Sequence, residues 1–245
     1  MNLGLEGKVC VVTGGTRGIG AASARMLSQE GAQVLTVARH GADVELDVSA
    51  PDAGERLLAA CPEPPWALVN NAGTSQARAL DELTDADWQE QWDLHVMAPM
   101  RLMRAFAPAM AAAGGGRIVN VSSSSGRRPS RRLDASYSVT KAAELSLSRV
   151  FADTFAAKGV LVNAVTPGAV DGELWKEEGG LADQIAARTG STRDEVLAAT
   201  LSSPALGRMG TDDEVAAVVV FLCSERASNV TGAAWAVDGG SVPVI

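Results

Sequence analysis

The 245-residue sequence predicts an α/β fold, in which a parallel sheet of about seven strands carries helices on both of its faces. Two observations support this prediction. Short runs rich in β-branched residues alternate with longer amphipathic segments rich in Ala and Leu, which is typical of strands joined by crossover helices. No linker or change of composition divides the chain, so a single domain of residues 1–245 is the economical interpretation.

The predicted elements follow one another in a regular order, with one interruption. The strands fall at residues 8–14, 33–38, 43–46, 67–73, 117–123, 160–166 and 233–240, and the helices at about 18–29, 51–60, 84–112, 135–157 and 211–224. Residues 171–210 break the alternation, and we expect an insertion of one or two helices that serves as a lid or a substrate-binding element. Leu174, Trp175, Leu181 and Ile185 of this insertion fit an apolar pocket or a packed helix core equally well.

Composition and charge exclude several classes of protein. A formal net charge of −8 argues against a nucleic-acid binder, because such domains are usually basic. The apolar runs are too short to span a membrane, and no secretory signal is recognisable, so we expect a soluble, cytoplasmic protein. Cys10, Cys61 and Cys223 form neither a metal motif nor a disulfide framework and are expected to be buried small hydrophobes. With only two isolated histidines besides, no metal site is predicted.

A glycine-rich stretch, TGGTRGIG, directly follows the first predicted strand and opens the first helix. Gly14, Gly18 and Gly20 allow the backbone to turn tightly and to approach a diphosphate, which then accepts hydrogen bonds at the helix N-terminus. In this position the stretch predicts a dinucleotide-binding loop. The alternative is a tight turn with a purely structural role.

The end of the second strand decides which nicotinamide cofactor is favoured. A carboxylate there would bind the adenosine ribose and repel a 2′-phosphate, but Ala38 and then Arg39 stand at this point. Arg17 in the glycine loop is a second cation within reach, unless it is a solvated surface residue. Because a guanidinium binds phosphate in a bidentate way, the sequence favours NADP(H) over NAD(H).

Tyr137 is the only tyrosine of the chain, and Lys141 follows it by four positions. On a helix these side chains share one face. A neighbouring ammonium stabilises a phenolate and lowers the pKa of the phenol, which suits Tyr137 to proton transfer near neutral pH. Ser123, at the end of a predicted strand, can hold a carbonyl oxygen beside them. The alternative is an ordinary surface tyrosine near a lysine.

The motifs TGGTRGIG, NNAG, SYSVTK and NAVTPG, in this order and spacing, resemble the short-chain dehydrogenase/reductase family from about residue 7 to the terminal VDGG. The resemblance implies a doubly wound, Rossmann-type fold, a bound NAD(P), and hydride transfer between the nicotinamide and a carbonyl or alcohol. It implies that Tyr137 is the general acid/base, that Ser123 orients the substrate oxygen, and that Lys141 holds the nicotinamide ribose. The residues expected to contact the cofactor are Gly14, Thr16, Arg17, Gly18, Ile19, Gly20, Arg39, Asp47, Val48, Asn71, Ala72, Gly73, Tyr137, Lys141, Pro167, Gly168 and Val170.

Two residues depart from the family pattern. His95 stands where members usually carry an Asn that helps to hold a water connecting the active-site lysine to solvent. An imidazole, with a pKa near neutrality, can also hold a water and carry a proton, so we expect His95 to join an altered relay; a damaged relay is the alternative. Gly172 replaces a Thr whose hydroxyl contacts the nicotinamide carboxamide in many members, and its effect, a looser cofactor or a freer lid, is left open.

Arg127, Arg128, Arg131 and Arg132 lie between the serine and the tyrosine, in a loop that borders the substrate entrance in this family. Four cations in an acidic protein are able to recruit an anionic substrate handle, such as a coenzyme A phosphate, an acidic carrier protein or a carboxylate. The alternative is a solvated loop, or one paired with acidic groups in an oligomer.

Three functions are compatible with these features. The first is an NADPH-dependent reductase of a 3-oxoacyl-like or other hydrophobic ketone, similar to the 3-oxoacyl-thioester (acyl carrier protein) reductases. The second is an alcohol or dihydrodiol dehydrogenase that works in the oxidative direction. The third is a catalytically weak, cofactor-binding sensor or scaffold. The resemblance also implies a homo-oligomer, commonly a tetramer, built partly through the helices at 84–112 and 135–157.

Overall fold

The computed structural model describes residues 2–243 and confirms the predicted fold. Its strands are β1 (Val9–Thr13), β2 (Gln33–Ala38), β3 (Val44–Glu45), β4 (Ala67–Asn70), β5 (Gly116–Val121), β6 (Val160–Pro167) and β7 (Ala234–Val237). They form one parallel sheet in the order β3-β2-β1-β4-β5-β6-β7. The chain builds outward from β1 to β3 and then crosses back to place β4 on the other side of β1. Ligands of such sheets bind outside the carboxyl ends of the strands at this reversal.

Helices cover both faces of the sheet and bury two apolar cores. They are α1 (Gly18–Gln29), α2 (Ala53–Ala60), α3 (Asp85–Trp92), α4 (Ala98–Ala112), α5 (Ala135–Phe155), α6 (Glu173–Lys176), α7 (Leu181–Thr189), α8 (Arg193–Leu201) and α9 (Asp212–Cys223). Successive side chains of a strand point to opposite faces. Accordingly, Val11 of β1 packs in the core beneath α2, α4 and α5, whereas Cys10 and Val12 pack in the core beneath α1 and α9.

The long helix predicted at 84–112 is interrupted. α3 and α4 are separated by a π-helical turn, Asp93–Met97, in which the backbone N–H of Ala98 donates to the carbonyl of Asp93. Pro99 lies at the start of α4 and has no N–H for the carbonyl four residues earlier, that of His95. Proline in a helical pattern is a common cause of such irregularities, and it was the signal in the sequence for this one.

Residues 171–210 hold three helices, α6 to α8, and not the one or two that were expected. The segment leaves and rejoins the rest of the chain at one point, where Val170 and Gly210 form an isolated parallel bridge. Its helices pack around a small core that includes Leu181, Ile185 and Val196 together with Ala77 and Leu133 from outside the segment. Ile185 is therefore a core residue of the insertion.

The cysteines differ in their burial. Cys10 and Cys223 are buried, as expected, but Cys61 is only partly buried. Burial raises the pKa of Cys10 to about 12 and that of Cys61 to about 11, so both remain thiols at neutral pH. None of the helices within residues 2–243 is long and apolar enough to cross a membrane.

Candidate active site

A cleft of about 1470 Å³ runs along the carboxyl edge of the sheet, above the point where β1 and β4 lie side by side. All of the predicted cofactor-contacting residues except Gly20 line this cleft, and Ser123 lines it as well. Gly20 and His95 lie behind its wall, next to Gly14 and Gly73 respectively. The fold therefore brings residues from seven separate segments of the chain to one surface.

The glycine loop forms one end of the cleft, and its geometry excludes side chains. Gly14 and Gly18 have φ angles of +63° and +54°, in the left-handed region that favours glycine. A Cβ added to Gly20 would lie 2.1 Å from the carbonyl oxygen of Gly14. The N-terminus of α1 has no side-chain cap and no acidic residue in its first turn, whereas α9 is capped by Thr211. Its first N–H groups are thus free of side-chain partners, as a bound anion requires.

Thr13 joins the ends of β1 and β4, a role that the sequence did not reveal. Its Oγ1 accepts hydrogen bonds from the backbone N–H groups of Asn71 (2.9 Å) and Ala72 (3.0 Å). The Asn71 side chain donates in return to the carbonyls of Thr13 (3.0 Å) and Gly14 (3.2 Å). These bonds fix the NNAG segment against the glycine loop, so that both face the same ligand.

Arg39 is exposed on the wall of the cleft, directly after β2. It forms no ion pair with any residue in the described part of the chain. Hydrogen bonds from Ser49, and to a smaller extent the charge of Arg39, lower the pKa of Asp47 nearby. Arg17 instead lies 3.7 Å from Glu173 of α6, and both side chains are largely exposed. Arg39 is therefore the cation that the chain leaves available to a ligand at this end.

Lys141 lies at the floor of the cleft and is held there by two hydrogen bonds. Its Nζ donates to the carbonyl of Val121 at the end of β5 (2.9 Å) and to the carboxylate of Glu144 one turn along α5 (2.8 Å). Both side chains of this ion pair are almost completely buried. Burial raises the pKa of Glu144, against the opposing effect of the Lys141 charge. Glu144 was not among the predicted site residues, although its i+3 spacing on a predicted helix placed it beside the lysine.

Tyr137 and Ser123 complete the polar end of the cleft. The half-buried Tyr137 ring packs edge-on against His95, with ring centroids 5.5 Å apart. The Ser123 hydroxyl accepts a hydrogen bond from the N–H of Ser125 (3.0 Å), which leaves its own proton available to a ligand. Ser122, directly after β5, donates to the carbonyl of Lys141 (2.8 Å) and ties the end of this strand to α5.

The expectation that His95 titrates near neutrality is wrong. Burial, and then the charge of Lys141, lower its pKa well below the ordinary value. Its Nε2 accepts from the N–H of Thr74 (3.2 Å), so the proton lies on Nδ1, which donates to the Thr140 hydroxyl (3.1 Å). Both ring nitrogens are thus occupied by protein groups, and a neutral imidazole links the segment after β4 to α5. Its predicted part in a water relay stays a prediction.

A buried carboxylate anchors the start of α5, and no local pattern in the sequence indicated it. Asp134 is inaccessible to solvent and accepts from the backbone N–H of Arg78 (2.7 Å) and from its guanidinium (3.0 Å). The same guanidinium also binds Asp87 of α3. Since α5 begins at Ala135, this network anchors the first turn of the helix that carries Tyr137.

The insertion and the loop that carries Arg127 to Arg132, here called the arginine loop, form the mouth of the cleft. Leu174, Trp175 and Leu181 line it, as do Arg128, Arg131 and Arg132, whereas Arg127 does not. None of these four arginines forms an ion pair within residues 2–243.

Gly172 lies where the insertion begins, close to Asp212 of α9. A Cβ at this position would be 3.6 Å from the nearest oxygen of Asp212, an ordinary contact distance, so a side chain would fit here. Burial, and then the charges of Asp213 and Glu173, raise the pKa of Asp212. Both consequences of the missing threonine remain open. The described residues contain no group of three or more His, Cys, Asp or Glu side chains that could hold a metal ion.

Comparison with known proteins identifies the family. A family model described as enoyl-(acyl carrier protein) reductase matches residues 14–241. The chain is 31% identical to the 3-oxoacyl-[acyl-carrier-protein] reductase FabG of Vibrio cholerae, with 97% of this chain and 98% of the relative covered. It is 34% identical to a galactitol 2-dehydrogenase of Cereibacter sphaeroides, with 96% and 95% covered. The structure of L-sorbose reductase from Gluconobacter frateurii, complexed with NADPH and L-sorbose, matches all of both chains with a TM-score of 0.89 at 32% identity. This chain is a member of the short-chain dehydrogenase/reductase family.

Proposed function

We propose that the protein is an NADP(H)-dependent oxidoreductase that interconverts a ketone and a secondary alcohol. The observation that carries the proposal is the single cleft, with the glycine loop at one end and Ser123, Tyr137 and Lys141 at the other. When bound, NADP(H) supplies or accepts the hydride. Relatives that act on 3-oxoacyl groups and on polyols support a substrate with a carbonyl or hydroxyl group.

The residues present fit the cofactor. The two positive φ angles of the glycine loop and the closeness of Gly20 to Gly14 leave a bare backbone surface, and the uncapped N-terminus of α1 adjoins it. A diphosphate fits such a surface. Arg39, exposed and without an ion-pair partner in the described part of the chain, is suited to a 2′-phosphate, and NADPH lies in the related sorbose reductase.

The chain's own residues handle the proton and the oxygen. In the reductive direction Tyr137 gives its phenolic proton to the substrate oxygen, while the Ser123 hydroxyl donates a hydrogen bond that stabilises the charge developing there. In the oxidative direction the same phenol takes the proton back. Lys141 uses two of its three N–H groups on Val121 and Glu144, and the third is left for the ribose and the phenol.

Two substrate classes are candidates, and a different observation supports each of them. A 3-oxoacyl thioester or another hydrophobic ketone suits Leu174 and Trp175 on the cleft wall and the arginines at its mouth. A polyol oxidised to a ketose is supported by the galactitol dehydrogenase relative. The deciding experiment measures NADPH consumption with 3-oxoacyl thioesters, ketoses, quinones and cyclic ketones, and NADP⁺ reduction with the matching alcohols. Binding of NADPH without turnover on any of them would favour the sensor alternative.

We expect Arg39→Ala to weaken NADPH binding by about tenfold and to leave NADH binding unchanged. Only NADPH carries the 2′-phosphate that the Arg39 guanidinium is proposed to bind. Dissociation constants of both cofactors, measured by fluorescence titration of the free protein, check this. Arg56→Ala is the matched control, since Arg56 is an exposed arginine of α2 that pairs with Asp52 outside the cleft. Equal losses of NADPH and NADH affinity in Arg39→Ala would contradict the assignment.

The arginine loop is the proposed receptor for an anionic substrate handle. We expect the double variant Arg128→Ala/Arg131→Ala to raise KM for a coenzyme A thioester about fivefold, with kcat unchanged and the effect smaller at high salt. Arg127→Ala is the control within the same loop, because Arg127 does not line the cleft. A neutral ketone should show no change in KM, and an unaltered KM for the thioester would rule out recruitment.

The insertion and the exposed face of α5 support two further proposals, a lid and a homo-oligomer. We propose that residues 171–210 act as a lid, because Leu174, Trp175 and Leu181 of this segment line the cleft and the two ends of the segment meet at the bridge between Val170 and Gly210. A homo-oligomer, predicted as a tetramer, is supported by Val139 and Val150, whose exposed side chains lie on α5, one of the helices expected at the interface. Light scattering after gel filtration gives its mass.

A further inference from the structure

The buried ion pair between Lys141 and Glu144 has a consequence for the proposed chemistry. Glu144 is 2% exposed and Lys141 is 4% exposed, and their charged atoms lie 2.8 Å apart at the floor of the cleft. A buried ammonium without a counter-charge tends to lose its proton, because desolvation disfavours the charged form. The countercharge therefore decides whether the lysine beneath Tyr137 is a cation.

The neighbours of the pair supply no substitute for this carboxylate. From β5 and the loop after it, the pair faces the carbonyl of Val121 and the hydroxyl of Ser122, which are both uncharged. Besides Glu144, and Tyr137 as the proposed target, the charge of Lys141 acts on His95 of the π-helical turn, and His95 is held neutral. Among the described residues Glu144 is the one anion in hydrogen-bonding contact with Lys141.

We propose that Glu144 is a positioning residue for Lys141, whose carboxylate fixes the ammonium under Tyr137 and keeps it charged. Glu144 lies seven residues after Tyr137 on α5, about 10 Å along the helix axis, so its own charge acts on the phenol far less than that of Lys141 does. Lys141, four residues after Tyr137 on the same helix face, is the nearer of the two charges to the phenol along the helix. Glu144 acts through the lysine and needs no contact with substrate or cofactor.

The single tyrosine of the chain allows a direct test. Phenolate absorbance of the free protein reports Tyr137 alone, and its midpoint can be followed by pH titration. In Glu144→Gln the carboxamide keeps the size and a hydrogen-bond acceptor but removes the charge. We expect the midpoint of the Tyr137 titration in this variant to lie at least about one pH unit above that of the wild type, because Lys141 becomes neutral. Glu144→Met, of similar volume, carries the same expectation if Glu144→Gln fails to fold.

A double-variant cycle separates this role from packing. Lys141→Met should shift the midpoint in the same direction, and adding Glu144→Gln to Lys141→Met should shift it no further. Glu144→Asp, which restores a carboxylate, should recover part of the shift. Ser148→Ala, one turn further on the same helix, removes another buried polar group and should leave the midpoint unchanged.

An unchanged or lower midpoint in Glu144→Gln would overturn the proposal, since Lys141 would then stay charged without its partner. The proposal would also be overturned if Glu144→Gln shifted the midpoint as much in the Lys141→Met variant as it does in the wild type. The inference rests on the roles proposed above for Tyr137 and Lys141. The titration, however, needs neither substrate nor cofactor, so a missing reductase activity would leave its result intact.

Discussion

Tyr137→Phe is expected to lower kcat by about 10³-fold, in the range that a positioned general acid/base contributes, and to change the dissociation constant of NADPH little. In the proposed mechanism the Tyr137 phenol is the group that exchanges a proton with the substrate oxygen. The ring itself is retained, so its edge-on contact with His95 survives and the fold should be as stable as in the wild type. Steady-state kinetics on the best substrate of the panel, together with NADPH titration, measure both effects.

Ser123→Ala is the informative comparison for this result. It removes a hydrogen bond to the oxygen but leaves the proton donor in place, so kcat should fall less than in Tyr137→Phe. A loss below tenfold in Tyr137→Phe would show that the proton comes from another group. A large loss accompanied by a lower melting temperature would instead show damage to α5.

The sheet and its order of elements could be predicted because they depend on local patterns. β-branched runs such as VCVVT alternate with amphipathic helices, and a parallel sheet is the arrangement that such crossovers produce. The glycine loop, Tyr137 and Lys141 were found for a similar reason, since a short motif fixes their spacing on one turn or one helix face. Features that depend on a single stretch of chain can therefore be predicted from the sequence.

The parts that sequence reasoning missed depend on contacts between distant segments. Asp134 meets Arg78, 56 positions earlier, only because the loop after β4 packs against the start of α5. His95 becomes neutral because it is buried near Lys141, and its two nitrogens are bonded by Thr74 after β4 and Thr140 of α5. Burial of this kind is a property of the assembled fold, so an isolated histidine could not be distinguished from a titrating one.

Glu144 is an intermediate case. Its spacing from Lys141 was visible, but an i, i+3 pair on an exposed helix face has little effect. Its significance arises from α5 lying against β5, which removes both charges from water. The family resemblance directed attention to the tyrosine and the lysine, and the structure adds the third member of that helix face.

Among substitutions that add one methyl group to the glycine loop, we expect Gly20→Ala to be the most damaging. The new Cβ would lie 2.1 Å from the Gly14 carbonyl oxygen and 2.5 Å from the side-chain nitrogen of Asn71. The side chain could move, but the carbonyl belongs to the backbone at the end of β1. Either the loop or the first turn of α1 must therefore shift, at a cost of about 3 kcal/mol.

Such a shift should lower the melting temperature by about 6–12 °C and weaken NADPH binding by at least about tenfold, because the same loop forms the diphosphate surface. Gly210→Ala is the matched control. The nearest atom to its Cβ would be 3.8 Å away and its φ is not in the left-handed region, so it should have almost no effect. Thermal melts of both variants, with and without NADPH, separate the two losses. If Gly20→Ala melted and bound NADPH like the wild type, contact between α1 and the loop would not be what shapes this end of the cleft.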